Sequence, residues 1–194
     1  MRMEPLAPPY PAEVQALLDR LPADWGPPFV HYRILARDPR LLAAYLQGFA
    51  YINPSHLTVR QREVFLMRVT GRCRNAFEWC LRVHYFAEAA NMSETQIDST
   101  VHGDAQDSCW TSNDRLLIRL ADELHDNATV SDELWADLRS ELTEDALLQL
   151  ILMAGHYRTN AYLALGLQLP VDERVSRAFP HGLAGQSQDL QADR

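Results

Sequence analysis

Hydrophobic residues recur every three to four positions along most of the chain, which is the spacing of amphipathic helices. This pattern predicts helices over about residues 12–20, 28–37, 39–52, 58–71, 75–91, 93–101, 111–126, 131–141 and 143–166. Polar pairs typical of capping boxes open three of these helices, at Thr58–Gln61, Ser93–Gln96 and Thr111–Asp114. No stretch alternates between hydrophobic and polar residues as a half-buried strand does. The sequence therefore predicts an all-α fold.

Composition excludes several classes of function. The chain has 194 residues and a formal net charge of −8, and its 18 basic residues are all arginine. An acidic chain is a poor general binder of nucleic acid, because affinity for phosphates comes from clustered basic charge. A sequence without lysine cannot use a lysine Schiff base. No hydrophobic run reaches the roughly 18 residues that a membrane span needs. We therefore expect no nucleic-acid partner and no membrane partner.

The three cysteines, Cys73, Cys80 and Cys109, do not suit a disulfide framework of secreted proteins, because their number is odd. The first residues contain no apolar segment of the signal-peptide type. Both features predict a cytoplasmic protein.

Candidate chemistry concentrates between Leu57 and Ser93. Composition favours a surface position for Glu63, because a buried carboxylate without a partner is costly. Glu78 and Arg82 are one helical turn apart, which favours a surface ion pair. The alternative is an oriented carboxylate and a planar cation that together bind an acidic substrate.

Other polar residues allow two interpretations each. Cys80 and His84 are one helical turn apart, so the imidazole could activate the thiol, but free cysteines are also common in protein cores. His156 and Asn160 share a face of an otherwise apolar helix. They are either hydrogen-bonded core residues or the lining of a pocket. The histidines are scattered and no CxxC pair or glycine-rich phosphate loop occurs. We predict neither a metal nor another cofactor.

Several phrases in order resemble the carboxymuconolactone decarboxylase-like superfamily, which also contains the alkylhydroperoxidase D-type proteins. They read LTVRQREVFLMRVTGRC, FEW and HYFAEAANMS, followed by DRLLIRLADELHDNATVSDELW and LILMAGHYRTNAYLALGLQLP. The resemblance covers residues 35–172, after an N-terminal arm and helices over residues 1–34 and before a loose tail over residues 173–194. It implies a helical fold built around a helical hairpin, and a homo-oligomer.

The chain departs from the family pattern at its reactive residues. Peroxidase members carry a glutamate, then CxxC, then a histidine, and Glu63 matches that glutamate. Without gaps, the cysteine positions fall on Asn75 and Glu78, and the histidine position falls on Arg82. Other members show a Glu-Trp pair followed by a histidine, and here Glu78 and Trp79 match while the histidine is again Arg82. The resemblance therefore implies a divergent member without the dithiol pair.

Three functions remain open at this point. The first is cofactor-free decarboxylation or isomerisation of a small organic acid or lactone, with Glu63 as general acid or base, Arg82 as carboxylate anchor and Glu78 as second proton carrier or orienter of Arg82. Trp79, His156 and Asn160 would line the substrate pocket. The second is a thiol peroxidase that uses Cys80 with His84 as its base. The third is a non-catalytic oligomeric binding protein.

Overall fold

The computed structural model describes residues 1–52 and 55–180, and these residues contain helices and no strand. The α-helices are α1 (Ala12–Leu18), α2 (Val30–Leu35), α3 (Pro39–Leu46), α4 (Val59–Arg72), α5 (Ala76–Phe86), α6 (Glu94–His102), α7 (Ser112–Asn127), α8 (Asp132–Glu141) and α9 (Glu144–Gly166). Two short 3-10 helices lie at Ala23–Trp25 and Gln47–Tyr51. The predicted all-α class is confirmed.

The helix starts follow the capping residues. The predicted boxes at Thr58, Ser93 and Thr111 are all present, with the side chain of each cap accepting a hydrogen bond from the backbone three residues on. The predicted helix over 39–52 is wrong in its second half, because α3 ends at Leu46 and the chain tightens into a 3-10 turn. The helix predicted from 75 likewise ends at Phe86, before residue 91.

Helices α4 and α7 lie parallel at the centre of the molecule. Three ion pairs join them, Arg60–Asp114, Arg68–Asp122 and Arg72–Asp126, and the partners of each pair are 54 residues apart. A constant separation requires that the two helices run in the same direction. Arg68 is 3% exposed and also donates to the Gly103 carbonyl at 2.8 Å, so it ties α4 to the end of α6 as well.

A short turn joins α4 to α5 and produces the helical hairpin that the resemblance implied. The break predicted near residues 71–75 is confirmed, but the residue with positive φ is Arg74 (φ 52°) and not Gly71. Gly71 remains helical and lets α6 approach α4, because a Cβ there would lie 2.5 Å from the Thr100 carbonyl oxygen. Asn75 then caps α5 by accepting from the Glu78 amide.

Two hydrophobic clusters pack on either side of α4. One joins α4, α7, α8 and α9 through residues such as Phe65, Leu120 and Leu150. The other joins α5 to the N-terminal helices through residues such as Trp79 and Leu42. Helix α4 is buried on nearly all sides over residues 63–71, so any charged group on this stretch needs a partner inside the protein.

The segment after α9 packs back over residues 167–180. Val175 is buried, and Arg174 donates to the Trp25 carbonyl at 2.6 Å. Phe179 packs edge-on against the Trp79 ring. The remainder of the predicted tail, residues 181–194, lies outside the described residues.

Candidate active site

Glu63 and Arg82 form a buried ion pair across the α4–α5 hairpin. Their side chains are 0% and 4% exposed, and Arg82 Nε lies 3.0 Å from Glu63 Oε2. The other carboxylate oxygen accepts a hydrogen bond from Arg62 Nε at 2.8 Å. The expectation of a surface position for Glu63 is therefore wrong. A carboxylate can be buried here because the positive charges of two arginines stabilise its negative charge in place of water.

Glu78 extends this cluster from the first turn of α5. Its Oε1 accepts from Arg82 NH1 at 3.5 Å, and its Oε2 accepts from Asn160 Nδ2 at 3.2 Å. The expected surface ion pair with Arg82 is thus a buried one. Burial raises the pKa of the Glu78 carboxyl above its ordinary value, although the charge of Arg82 opposes the shift. The side chain keeps 12% exposure, more than Glu63 or Arg82.

The Arg82 guanidinium is enclosed by groups of the same chain. NH1 donates to the Tyr157 hydroxyl at 2.8 Å, and the guanidinium carbon lies 4.6 Å from the centre of the Tyr157 ring. Burial by itself lowers the pKa of Arg82, but Glu63, Tyr157 and Glu78 together reverse the shift and raise it. Arg82 is therefore a permanent cation whose nitrogens face groups of the same chain.

A chain of amide hydrogen bonds fixes the orientation of Asn160. The Glu78 backbone N–H can only donate, so the atom of Asn75 that it meets at 3.3 Å is the amide oxygen. Asn75 Nδ2 then donates to Asn160 Oδ1 at 2.8 Å. Asn160 Nδ2 is left to donate to two acceptors, Glu78 Oε2 and the Tyr45 hydroxyl oxygen at 2.9 Å. The Tyr45 oxygen is thus an acceptor in this chain.

His156 lies beside this chain on the outer side of Tyr45. Its ring centre is 5.0 Å from that of Tyr45 and 5.9 Å from that of Tyr51, which is exposed. Gly48 makes the approach possible, because a Cβ there would lie 2.2 Å from the imidazole. Burial, and then the charge of Arg82, lower the pKa of His156, so the half-buried ring is neutral near pH 7.

Cys80, His84 and Trp79 lie apart from the charged cluster. Cys80 is 0% exposed, and burial raises the pKa of its thiol to about 11. His84 is exposed and contacts Tyr85, and within the described residues no hydrogen bond joins it to Cys80. The Trp79 indole is buried and donates to Thr100 Oγ1 at 2.9 Å.

No residue of the charged cluster lines the surface groove near the start of α4. A surface groove of about 580 Å³ is lined by Arg60, Asn91, Met92, Ser93, Gln96 and Thr111. Arg60 is already paired there with Asp114. Across residues 1–52 and 55–180, no three His, Cys, Asp or Glu side chains gather as metal ligands. In the same part of the chain, no helix is long and apolar enough to cross a membrane.

The structure brings Glu63, Glu78, Arg82 and Asn160 into one hydrogen-bonded and ion-paired cluster, with His156 packed beside it. Sequence reasoning did not assign Tyr45, Tyr157, Asn75 or Arg62 to the site. Tyr45 carries no local signal, because it precedes the phrases that carry the resemblance and its partner Asn160 is 115 residues away in the sequence. Asn75 could have been found as the cap residue before α5.

These helices and their central hairpin define an AhpD-like all-helical fold. One solved structure with this fold is a protein of unknown function from Agrobacterium tumefaciens, for which a role as the antioxidant defence protein AhpD has been suggested. The two structures superpose with a TM-score of 0.57 over 70% of this chain and 93% of the other, at 17% sequence identity. The sequence matches no protein-family model and no curated protein. The likeness establishes the fold.

Proposed function

We propose that the protein is a cofactor-free acid–base enzyme that decarboxylates or isomerises a small organic acid or lactone. The observation that carries this proposal is the Glu78 carboxyl. It is held by Asn160 and Arg82, its pKa is raised, and it keeps more exposure than the other charged groups of the cluster. A carboxyl that stays protonated nearer to neutral pH is the usual form of a general acid in enzymes.

The roles of the charged residues differ from those expected from sequence alone. Glu63 is held between Arg62 and Arg82, so it orients Arg82 and leaves proton transfer to Glu78. Arg82 is poorly placed to anchor a substrate carboxylate, because its side chain is 4% exposed and its nitrogens face Glu63, Glu78 and Tyr157. Its charge instead stabilises the carboxylate that Glu78 becomes after it gives up its proton.

In the decarboxylation, the bond between the substrate carbon and its carboxylate breaks and carbon dioxide leaves. The electron pair of that bond passes through the adjacent carbon to a carbonyl oxygen, forming an enolate. Glu78 then donates its proton to the carbon that lost the carboxylate, and solvent returns a proton to Glu78. No oxidant, metal or covalent intermediate is required.

The observations weigh against the thiol peroxidase. Cys80 is completely buried, burial raises the pKa of its thiol to about 11, and His84 faces solvent. A peroxidatic thiol needs access and thiolate character, and Cys80 has neither. Cys73, Cys80 and Cys109 are all free thiols, which supports the cytoplasmic location that we also propose.

The competing proposal is a non-catalytic binding protein, in which the Glu63–Arg82 and Glu78–Arg82 ion pairs only stabilise the fold. Turnover of a panel of lactones and β-keto acids decides between them. We expect the Glu78→Gln variant to lose about 100-fold or more of kcat/KM. Glu88→Gln, on the exposed side after α5, is the matched control and keeps its rate. No turnover by the folded wild-type protein, or equal rates in wild type and Glu78→Gln, would overturn the enzyme proposal.

We also propose that the protein forms a homo-oligomer through the outer face of α9. Leu148, Leu152 and Tyr162 lie on this face and are 58%, 42% and 66% exposed. Gly155 lies on the same face, and a Cβ there would meet nothing within 4 Å. Light scattering tests the proposal: Leu148→Glu should reduce the molecular mass to that of a monomer. Leu41→Glu, equally exposed at 58% on α3, should not, and a monomeric wild type would refute the assignment.

A further inference from the structure

The Tyr45 hydroxyl has one hydrogen to donate and one oxygen already in use. Its oxygen accepts from Asn160 Nδ2, an orientation that the Glu78 backbone amide fixes through Asn75. Within residues 1–52 and 55–180, no hydrogen bond donated by this hydroxyl is found. The half-buried Tyr45 hydroxyl accepts a hydrogen bond from the protein, so its own hydrogen is available for a hydrogen bond to a bound ligand.

The position of this hydroxyl matters because Glu78 accepts from the same amide group. Asn160 Nδ2 reaches the Tyr45 oxygen at 2.9 Å and Glu78 Oε2 at 3.2 Å, so one NH2 group holds the two oxygens side by side. The Tyr45 ring also contacts His31 and His156. His156 in turn packs against Tyr51, which is exposed, whereas His31 is buried.

We propose that the Tyr45 hydroxyl is the substrate-contacting hydrogen-bond donor of this site, which binds the oxygen that becomes negatively charged in an enolate. The inference rests on the proposed acid–base function and narrows its substrate class to compounds with a carbonyl next to the reacting carbon. When the electron pair of the broken bond moves to that oxygen, Tyr45 donates a hydrogen bond to it and keeps its own proton. A preoriented donor at a developing oxyanion stabilises the transition state more than the ground state.

Tyr45 fits this role better than the other polar groups of the site. Both hydrogens of Asn160 Nδ2 are in use, Arg82 is 4% exposed, and Glu63 is fully buried. Desolvation raises the pKa of Tyr45, which keeps the phenol protonated and able to donate at neutral pH.

Binding of para-substituted phenols tests the inference, because phenolates mimic an enolate oxyanion without reacting. We expect wild-type affinity to rise with the acidity of the phenol, and Tyr45→Phe to weaken phenolate binding by roughly 5- to 20-fold and flatten that trend. Tyr85→Phe is the control, since Tyr85 is also half-buried but packs against Trp25 and Phe29. A merely structural role for Tyr45 would not change the dependence on phenol acidity.

The outcomes separate the inference from the function on which it rests. Equal phenol affinity and equal slope in wild type and Tyr45→Phe, or no phenol binding at all, would overturn the role of Tyr45. If the panel of acids is turned over in a Glu78-dependent way while Tyr45→Phe keeps full activity, the acid–base function stands and this inference fails. If phenolates bind through Tyr45 but no acid reacts, the oxyanion site stands and the enzymatic function fails.

Discussion

The buried imidazole of His31 should make the protein lose stability as the pH falls below about 6.5. The residue is 4% exposed, its ring packs against Tyr32 and Phe77, and its Nδ1 has no hydrogen-bond partner among the described residues. Burial, reinforced by His156, lowers the pKa of His31 to about 3. The folded protein therefore keeps His31 neutral at pH values where the unfolded chain protonates it.

The size of the effect follows from the two pKa values. Above the unfolded value of about 6.5, both states are neutral and His31 contributes no pH dependence. Between 6.5 and about 3, only the unfolded state binds the proton, so stability falls by about 1.4 kcal/mol per pH unit. At pH 5 the loss is about 2 kcal/mol relative to pH 7.

Urea unfolding at pH 7 and pH 5 measures this loss. Because carboxylates contribute their own pH dependence, the informative quantity is the change in unfolding free energy in wild type minus that in His31→Phe. We expect a difference of about 2 kcal/mol. His31→Leu provides a second variant in case the larger ring strains the core, and His102→Phe at the exposed end of α6 is the control. Equal losses in wild type and both His31 variants would show that the folded protein binds the proton at His31 after all.

Three further predictions concern the packing of the hairpin and its neighbours. Arg82→Met should lower the free energy of unfolding in urea by about 3–5 kcal/mol, because it leaves Glu63 and Glu78 buried without their shared cation. Adding Glu63→Gln should restore part of this loss. An unchanged unfolding free energy in the single variant would contradict the ion-pair geometry. Gly71→Ala should cost about 1–3 kcal/mol because its Cβ would collide with the Thr100 carbonyl. Calorimetry of the variant measures this loss, and an unchanged stability would show that α6 can move away from α4. Native-state thiol labelling should modify Cys80 only after denaturant is added, and rapid labelling of Cys80 in the folded protein would show that the core around it opens.

The sequence predicted the helices well where local chemistry decides them. Thr58, Ser93 and Thr111 each satisfy the first backbone N–H groups of their own helix, and this requires only residues three positions apart. The prediction of one helix over residues 39–52 was wrong in its second half. The hydrophobic spacing continues past Leu46, but the backbone changes there from an α-helix to a 3-10 helix that contains Gly48. There the imidazole of His156 on α9 needs the space that a Cβ would fill, and no local rule contains that contact.

The candidate site shows the same division between local and distant information. The α4–α5 hairpin and the family resemblance placed Glu63, Glu78 and Arg82 near one another, but neither could show whether they face the core. Glu63 looked like a surface residue because its main partner is 19 residues away on another helix. Tyr45 and Tyr157 are ordinary aromatic residues in the sequence, and only the packing of α3 and α9 against the hairpin brings their hydroxyls to the charged groups.

The permanent charge of Arg82 limits which group of the cluster can move a proton. An imidazole at that position could accept a proton and return it, whereas a guanidinium with a raised pKa keeps its protons at any pH the fold survives. In the acid–base function that we propose, proton transfer therefore falls to Glu78, whose pKa burial raises. A lysine could carry the charge of Arg82, but it has no planar group to meet Glu63, Glu78 and Tyr157 in separate directions. The contacts around residue 82 therefore suit an arginine better than a lysine.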